Sequence, residues 1–337
     1  MSTPTSYHEV MQWSDAQCRD FLIAQRWPEG VICPKCGAPE PYTLTRKSKT
    51  KNHVTKLFKC RACRKQFTAT TGTIFEDSHV SLSKWFSAIY LMCASKKGVS
   101  AHQIHRMLGV AYRTAWFMCH RIREAMREGN WQLSGTIEAD ETFVGGKKSR
   151  RGHPVANWER KRIDAEARGL PVQSWMRGQR HPREDKTIVF GIMERGGRVR
   201  SQVVPAVQIE HLRPVMIRDI DVKRSRLITD GHNVYKGMRD VMPHDSVNHD
   251  IEYVRYDSPD VHTQGIENYW SLVKRGILGT WHHVGVSYLD QYLREFDYRF
   301  NRRQISDAAR FDALFGQVSG KRLTWYCRTP QPENPHA

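Results

Sequence analysis

Two pairs of closely spaced cysteines constrain the fold of this chain more than any other feature. One pair lies in the sequence Cys-Pro-Lys-Cys-Gly and the other in Cys-Arg-Ala-Cys-Arg. Two residues between cysteines allow both sulfur atoms to reach one tetrahedral metal ion from a tight turn. Gly37 follows the first pair, where such a turn commonly needs a positive φ. We therefore predict one structural zinc ion with four ligands, which are Cys33, Cys36, Cys60 and Cys63.

The residues between and around these pairs decide between zinc and redox chemistry. A redox-active Cys-X-X-Cys motif is the alternative, but it needs one pair rather than two. Residues 42–44 and 56–59 alternate as the strands of neighbouring hairpins do, which favours a four-cysteine zinc ribbon. The remaining cysteines are isolated in the sequence, and we expect them to be buried free thiols: Cys18, Cys93, Cys119 and Cys327.

A helical region follows the cysteines. Residues 81–92 and 113–126 carry apolar side chains at helical spacing, and a short helix is predicted between Ser100 and Gly109. A helix, a glycine-containing turn and a second helix are typical of a helix-turn-helix DNA-binding motif, with a plain helical bundle as the alternative. The motif predicts contacts to bases or phosphates from Arg113 and Thr114, with Arg121 and Arg123 further along the helix.

The charge of the chain indicates the class of its partner. The 337 residues include 53 Lys and Arg against 35 Asp and Glu, a formal charge of +18. A protein this basic usually binds a polyanion, and nucleic acid is the commonest one. No segment has the roughly 18 uninterrupted apolar residues of a membrane span, and the N-terminal residues show no secretory signal. We therefore expect a cytoplasmic, nucleoid-associated protein that does not bind membranes.

A basic segment interrupts the second half of the chain. Residues 147–185 contain 11 Lys or Arg against 5 Asp or Glu and are punctuated by glycine and proline. One interpretation is an insertion that grips nucleic acid, and the alternative is a solvated linker. The first interpretation predicts phosphate contacts from Lys147, Lys148, Arg150 and Arg151.

Acidic residues lie at the ends of predicted elements in this half. A strand over 136–146 places Glu138 and Asp140 on one face, a strand ending at 230 exposes Asp230, and a helix from residue 265 carries Glu267 in its first turn. Carboxylates gathered at one end of a sheet repel one another, and their best-known use is to hold hard divalent cations. Two such ions can drive an in-line phosphodiester displacement. Strand patterns at 186–194 and 198–205 flank Gly196-Gly197, which indicates a hairpin. The order of three strands, a helix, a strand and a helix predicts a mixed α/β fold.

Together these motifs resemble the insertion-sequence DDE transposases related to the Merlin group, which carry an N-terminal zinc ribbon and helix-turn-helix. The resemblance runs from about Cys33 to Arg303. It implies a ribonuclease-H-like mixed sheet flanked by helices, with two Mg²⁺ or Mn²⁺ ions. Asp140 and Asp230 are the implied first two ligands, and Glu267 is the third, with Asn268 as the alternative. The motifs that carry it are the cysteine pairs, Phe67–Phe75, Glu138–Gly146, Thr229–His232 and His262–Gly276.

The family also implies basic residues near the third acid. Lys274 matches a basic residue that follows this acid by one or two helical turns. Glu295, Arg299 and Arg302 match a glutamate followed by two arginines at four and seven positions. Helical spacing puts these three on one side of a helix, where the arginines can face phosphates. An intrahelical ion pair on a solvated face is the alternative.

The resemblance implies an organisation and an activity. It implies a zinc-ribbon segment at 1–75, a helix-turn-helix module at 76–130, a catalytic domain at 131–310 that includes the insertion, and a C-terminal tail at 311–337. The implied activity is binding of the terminal inverted repeats, cleavage, and transfer of 3′-OH ends to target DNA by a homodimer or larger homo-oligomer. A non-catalytic DNA-binding protein, such as a repressor or domesticated transposase, is the alternative, and a plain metal-dependent nuclease is a third possibility.

Overall fold

The structure is a computed structural model, and it describes residues 3–47, 54–145, 165–169, 186–247 and 254–323. The chain forms two compact units. The first comprises Met1–Asn130, Arg275–His282 and Asp290–Ala337, and the second comprises Trp131–Lys274 and His283–Leu289. The C-terminal helices thus group with the N-terminal half of the chain rather than with the sheet of the second unit. In the described ranges, the helices are too short or too polar to cross a membrane.

The first unit contains a small antiparallel sheet, with Cys60 and Cys63 between its second and third strands and Cys33 and Cys36 before its first strand. Strands β1 (Tyr42–Lys47) and β2 (Val54–Lys59) form a hairpin, and the short β3 (Gln66–Phe67) pairs with β2. Three buried aromatic rings pack beside the cysteines: Trp27, Phe58 and Phe67. The ring of Phe58 stacks on that of Phe67 with centroids 5.4 Å apart. This core is small, so a metal ion has much to contribute to the fold.

Helices make up the rest of the N-terminal half of the first unit. The short helix α4 (Ala101–Leu108) begins after Ser100, whose side chain accepts a hydrogen bond from the backbone of Gln103. The helix ends at Gly109, which has φ of 59°. The predicted start and end of this helix are therefore confirmed by its caps. The helices are α1 (Tyr7–Gln12), α2 (Asp15–Arg26), α3 (Leu82–Ala94), α4 (Ala101–Leu108) and α5 (Tyr112–Ala125).

The second unit is built on a five-stranded mixed sheet. Its strands are β4 (Leu133–Val144), β5 (Thr187–Glu194), β6 (Val199–Val204), β7 (Ile220–Asp230) and β8 (His244–Val247). They lie in the order β6-β5-β4-β7-β8. Strand β5 runs antiparallel to both of its neighbours, β4 and β6, whereas β7 and β8 run parallel to β4. Gly196 has φ of 72° in the β5–β6 turn, the hairpin that the sequence predicts. The predicted mixed α/β fold is confirmed.

Helices cover both faces of this sheet. Helix α6 (Ile209–Asp219) buries Leu212 and Met216 in the same cluster as Ile137 and Ala139 of β4. Helix α7 (Gln264–Gly276) lies on the opposite face, where its Tyr269 hydroxyl is 3.2 Å from the Ser201 hydroxyl of β6. Because side chains alternate along a strand, the even-numbered residues of β4 point towards α7.

Two further α-helices follow α7 along the chain. Helix α8 (Leu289–Asn301) and helix α9 (Asp307–Phe315) are joined by a hydrogen bond from the Tyr298 hydroxyl to the Arg310 carbonyl, 2.6 Å long. The ring of Phe315 lies 4.6 Å from that of Phe86 of α3. Apolar packing of this kind explains why α9 belongs to the first unit.

Candidate active site and zinc centre

The four paired cysteines come together in the first unit. The sulfur atoms of Cys33 and Cys63 are 3.8 Å apart, and those of Cys36 and Cys60 are 3.5 Å apart. Four Zn–S bonds of about 2.3 Å define a tetrahedron with edges of about 3.8 Å. All four sulfur atoms lie within 4.8 Å of one another. The four cysteines can therefore bind one zinc ion without rearrangement.

The two cysteine turns have the same backbone geometry. The residue after each pair adopts a positive φ, which is 73° at Gly37 and 61° at Arg64. In the second turn, the amide of Cys63 donates to the Cys60 sulfur at 3.4 Å and lowers the pKa of that thiol to about 6. A lowered thiol pKa favours the thiolate, which is the form that binds metal. Cys36 shifts the other way: the Ala38 amide lowers its pKa, but hydrogen bonds with the other three cysteines outweigh this and raise it to about 11.

The isolated cysteines match their prediction where they are described. Cys18, Cys93 and Cys119 are free and buried, and burial raises the pKa of each thiol. Neutral buried thiols of this kind behave as small apolar side chains. Cys327 lies outside the described residues.

Sheet register brings two of the predicted acidic ligands side by side in the second unit. Strand β4 pairs with β7 in parallel, with Ala139 opposite Thr229, so that Asp140 and Asp230 are the next residues of the two strands. Adjacent strands are about 4.8 Å apart, and residues in parallel register point to the same face. Burial, together with the charges of Glu141 and Asp230, raises the pKa of the Asp140 carboxyl to about 7. A divalent cation would supply positive charge to an ionised pair at this position.

Trp270 contacts the first of these acids, and no spacing in the sequence indicates this contact. Its indole Nε1 donates to Asp140 Oδ2 at 3.0 Å. Its ring lies against Gly191 of β5, where an added Cβ would come within 2.6 Å of the ring. Gly191 is the partner of Asp140 across the β4–β5 pairing. The missing side chain at Gly191 therefore makes room for the indole that orients Asp140.

The direction of helix α7 separates Glu267 from Asn268. At about 100° per residue, Glu267 is about 60° from Trp270 around the helix axis, whereas Asn268 is about 160° away. Asn268 is exposed, and Glu267 is partly buried with its Oε1 accepting from the Thr263 hydroxyl at 2.8 Å. Lys274 is exposed and about 40° from Trp270. Glu267 and Lys274 thus share the side of α7 that faces Asp140.

The three predicted carboxylate ligands do not form a closed cluster. Among the described residues, the only set of three or more Cys, His, Asp or Glu ligand atoms within 4.8 Å of one another is the cysteine set. Asp140 and Asp230 are neighbours in the sheet, while Glu267 belongs to a separate element above it. The donor set fits a hard cation in chemistry and in the facing of its side chains.

Comparison with known proteins decides the family. A family model described as an ISXO2-like transposase domain matches residues 132–301. A second model, described as a transposase zinc-ribbon domain, matches residues 13–66.

The chain belongs to the family of ISXO2-like transposases. The resemblance inferred from the motifs is confirmed. A similar protein of Halobacterium salinarum (strain ATCC 700922 / JCM 11081 / NRC-1) is described as an uncharacterized protein in transposable element ISH50. The two are 30% identical over 293 residues, which is 85% of this chain and 90% of the relative.

Two of the predicted DNA contacts of this transposase lie at an open surface of the first unit. Arg113 and Thr114, at the start of α5, line a cavity of about 440 Å³ whose other lining residues include Trp85, Phe117 and the third predicted contact, Arg121. Arg113 is exposed. The first turn of α5 has no side-chain cap, so its amide groups add to the positive character of this region.

Arg121 has a different environment from the one predicted for a DNA contact. The residue is only 6% exposed, and its guanidinium donates to the carbonyls of Ile74 and Glu76, both at 2.8 Å. It also donates to the Leu323 carbonyl at 3.2 Å. These bonds hold the C-terminal end of the described chain against α5, so Arg121 has a structural role here. Helical spacing indicated its face but not that other segments cover that face.

The glutamate and arginines of α8 also differ from their prediction. Glu295 is fully buried and forms ion pairs with Arg123, at 2.7 Å, and with Arg299. Arg299 is 6% exposed and does not face solvent, so neither a phosphate contact nor a solvated pair describes it. Arg302 is partly exposed and pairs with Glu128. Two buried arginines around one glutamate neutralise a charge that would otherwise be costly in the core.

The basic insertion carries four further predicted contacts. Lys147, Lys148, Arg150 and Arg151 lie outside the described residues, as does most of the segment 147–185. Their role stays a prediction.

Proposed function

We propose that this transposase binds the terminal inverted repeats of its own insertion sequence, cleaves phosphodiester bonds with two Mg²⁺ or Mn²⁺ ions, and joins the 3′-OH ends to target DNA. The observation that carries the proposal is the adjacent pair Asp140 and Asp230 on parallel strands. The pKa of Asp140 is raised to about 7 by burial and by neighbouring negative charges, so the pair favours a cation.

The topology of the second unit supports the fold that this chemistry requires. Three antiparallel strands are followed by a helix and by two strands that run parallel to the first, in the spatial order β6-β5-β4-β7-β8. This order agrees with the ribonuclease-H-like fold implied by the resemblance. The first and fourth strands are central neighbours, and each carries one of the two aspartates.

The residues of this site divide the work of holding and orienting. Asp140 and Asp230 would hold the divalent ions, which when bound activate a water or 3′-hydroxyl and stabilise the leaving oxygen. Glu267 is the proposed third ligand, because it lies on the Trp270 side of α7 and Asn268 does not. Trp270 orients Asp140 through its indole N–H. Lys274 is positioned on the same side for a phosphate.

The first unit supplies the proposed recognition of DNA. Helices α4 and α5 with their intervening turn act as a helix-turn-helix, in which Arg113 and Thr114 contact DNA. The zinc ribbon is a second DNA-binding element that depends on its metal for folding. Joining two element ends requires a homodimer or larger assembly. Because the protein binds DNA, we place it on the nucleoid.

A non-catalytic DNA-binding protein is the second candidate, since the three carboxylates are not within 4.8 Å of one another in the described chain. The discriminating experiment is Asp140→Asn and Asp230→Asn in the full chain, incubated with Mg²⁺ or Mn²⁺ and DNA that carries the element ends. We expect loss of strand cleavage by about 10³-fold or more, because one ligand of the ions is removed. Binding to the ends, measured by gel mobility shift, should be unchanged.

The control is Asp221→Asn, the same substitution at the start of β7, where the carboxylate accepts from the Lys223 amide at 3.2 Å and lies 3.8 Å from Arg224 Nε. It should cleave as the wild type does. Wild-type cleavage by Asp140→Asn would refute the assignment. Covalent joining of a labelled 3′-OH end to a plasmid separates a transposase from a plain nuclease.

A further inference from the structure

We propose that Glu138 and Arg195 form a positioning pair that fixes the first turn of α7 and, through it, the carboxylate of Glu267. The proposal rests on the proposed function of Glu267 as a metal ligand. Neither residue would touch the ions or the DNA strand. Their role would be to hold the third carboxylate in place over a sheet that carries the other two.

Glu138 is buried, and both of its carboxylate oxygens are used. It lies in β4 on the same face as Asp140, two residues earlier, and is 1% exposed. Its Oε1 accepts from Arg195 Nε at 3.0 Å, and its Oε2 accepts from the backbone amide of Ile266 at 3.0 Å. The amide belongs to the first turn of α7, where N–H groups have no partner within the helix and favour a negative charge.

Arg195 connects this carboxylate to the segment that leads into the helix. It follows β5 directly, and its backbone amide donates to the Thr136 carbonyl of β4 at 2.9 Å. Its Nη1 donates to the Asp260 carbonyl at 2.6 Å, and its Nη2 donates to the His262 carbonyl at 2.8 Å. One guanidinium therefore ties the central strands to the two ends of the short segment 260–262.

The connection continues from this segment to Glu267. Thr263 follows His262, and its hydroxyl donates to Glu267 Oε1 at 2.8 Å. The amide of Glu267 in turn donates to the Thr263 carbonyl at 3.1 Å. A shift of the segment 260–262 would therefore move Thr263, which is bonded to both the side chain and the backbone of Glu267. The path from β4 to Glu267 consists of direct hydrogen bonds and one peptide link.

Close packing at Gly265 shows that the helix start is seated on the carboxylate. A Cβ added at Gly265 would come within 2.7 Å of Glu138 Oε2. The first turn of α7 thus approaches β4 as closely as a residue without a side chain allows. Such an approach leaves little freedom for the helix start as long as Glu138 keeps its position.

The charge environment of Glu138 distinguishes it from the two aspartates. The Arg195 guanidinium neutralises Glu138, and its side chain is 29% exposed. Across the described ranges, no arginine or lysine nitrogen lies within 4.0 Å of the carboxylate of Asp140 or Asp230. A carboxylate already paired with arginine and with a helix amide has little to gain from a metal ion. The aspartates lack that compensation, which assigns the ions to them and the positioning role to Glu138.

The test uses the full-length protein and four variants: Arg195→Ala, Arg195→Lys, Glu138→Ala and Glu138→Gln. The control is Arg198→Ala, which removes an exposed arginine from the same β5–β6 hairpin. Two quantities are measured. The first is amide hydrogen exchange of residues 264–270 without divalent ions, and the second is the Mg²⁺ concentration for half-maximal cleavage of end-containing DNA.

Arg195→Ala and Glu138→Ala should speed exchange at 264–270 by about tenfold and raise the half-maximal Mg²⁺ concentration by about 10–100-fold, the usual cost of losing a group that orients a metal ligand. Exchange in β4, β5 and β7 should stay slow, which shows that the sheet is folded. Arg195→Lys keeps the charge but cannot reach both carbonyls, so it should fall between Arg195→Ala and the wild type. Arg198→Ala should match the wild type in both measurements.

Glu138→Gln separates positioning from ligation. A glutamine keeps an oxygen for the Ile266 amide, so this variant should cleave within about tenfold of the wild type at saturating Mg²⁺. If Glu138 were itself a metal ligand, Glu138→Gln would be as inactive as Asp140→Asn while exchange at 264–270 stayed slow. That result would overturn the proposal. Unchanged exchange and unchanged Mg²⁺ dependence in Arg195→Ala would overturn it as well.

Failure of the proposed function has a different signature. If Asp140→Asn cleaves as the wild type does, the metal site is misassigned, and this outcome is independent of exchange at 264–270. If the Ala variants do not fold, the exchange and Mg²⁺ dependence of Arg195→Lys and Glu138→Gln decide the question alone.

Discussion

The two candidate metal sites of this protein are built in opposite ways. The cysteine site is assembled from two short turns, and its four sulfur atoms lie within 4.8 Å of one another. The carboxylate site draws on β4, β7 and α7, and sheet register rather than a turn brings Asp140 beside Asp230. A structural site can be closed because neutral or hydrogen-bonded thiols tolerate close contact. A site of like charges stays open because the carboxylates repel one another.

The protein prepares the ligands of the two sites differently. At the cysteine site, the amide of Cys63 lowers the pKa of the Cys60 thiol to about 6, which favours the form that binds metal. At the carboxylate site, burial raises the pKa of Asp140 to about 7, which makes its charged form costly. The cysteine site should therefore increase the free energy of unfolding, and the carboxylate site should decrease it in the absence of cations.

The largest expected effect is loss of the ribbon fold on loss of zinc. Cys36→Ser should abolish zinc binding, since a structural zinc contributes about 10–16 kcal/mol of apparent binding energy to a fold with a small core. Zinc content should fall from about one ion per chain to none, and residues 33–67 should become sensitive to proteolysis. Strands β4 to β8 should keep their protection from hydrogen exchange.

Cys93→Ala is the control for this prediction, because it removes a buried thiol that is not in the cysteine site. Its zinc content should equal that of the wild type. Full zinc content in Cys36→Ser would contradict the four-thiolate site.

The carboxylate site should give the opposite sign. Asp140→Asn should increase the free energy of unfolding of the metal-free protein by about 2 kcal/mol at pH 8, after allowance for partial exposure. The folded-state pKa is about 7 and the ordinary value is 3.8, so the unfolded chain releases the proton first as pH rises. Wild-type stability should therefore fall relative to Asp140→Asn between about pH 4 and pH 7 and stay lower above that range.

Urea titrations of both proteins in chelator at several pH values measure this difference. Asp221→Asn is the matched control and should show no such pH dependence. Added Mg²⁺ should reduce the advantage of Asp140→Asn, because the cation stabilises only the wild-type site. A metal-free Asp140→Asn that is less stable than the wild type at pH 8 would remove the contrast between the two sites.

The same division between local and long-range contacts explains what the sequence could reveal. The cysteine turns, the caps of α4 at Ser100 and Gly109, and the glycine turn at 196 depend on residues a few positions apart, and they were predicted. The bond from Trp270 to Asp140 spans 130 positions, and that from Arg195 to Glu138 spans 57. No spacing rule indicates such pairs.

Long-range burial also explains the residues whose environment was misjudged. Helical periodicity placed Glu295 and Arg299 on one face of α8, and this was correct. It could not reveal that Arg123, 172 positions away, covers that face and turns the pair into a buried ion cluster. Arg121 was misjudged for the same reason. Periodicity reports which side chains share a face, whereas burial depends on the segments that pack on it.

The smallest expected effect tests whether the two cysteine turns are equivalent. Gly37 and Arg64 occupy the same position of their turns with φ of 73° and 61°, and both are exposed. A left-handed backbone costs a non-glycine residue about 1 kcal/mol. Gly37→Ala should therefore weaken zinc affinity by about fivefold, since no atom lies within 4 Å of an added Cβ and only backbone strain is added. Arg64→Gly should strengthen it by a similar factor.

Competition with a chromogenic chelator measures both zinc affinities, and Arg64→Ala, which removes the charge but keeps the strain, should show no gain. A change of the same sign in Gly37→Ala and Arg64→Gly would mean that charge or chain flexibility, rather than backbone strain, governs these turns.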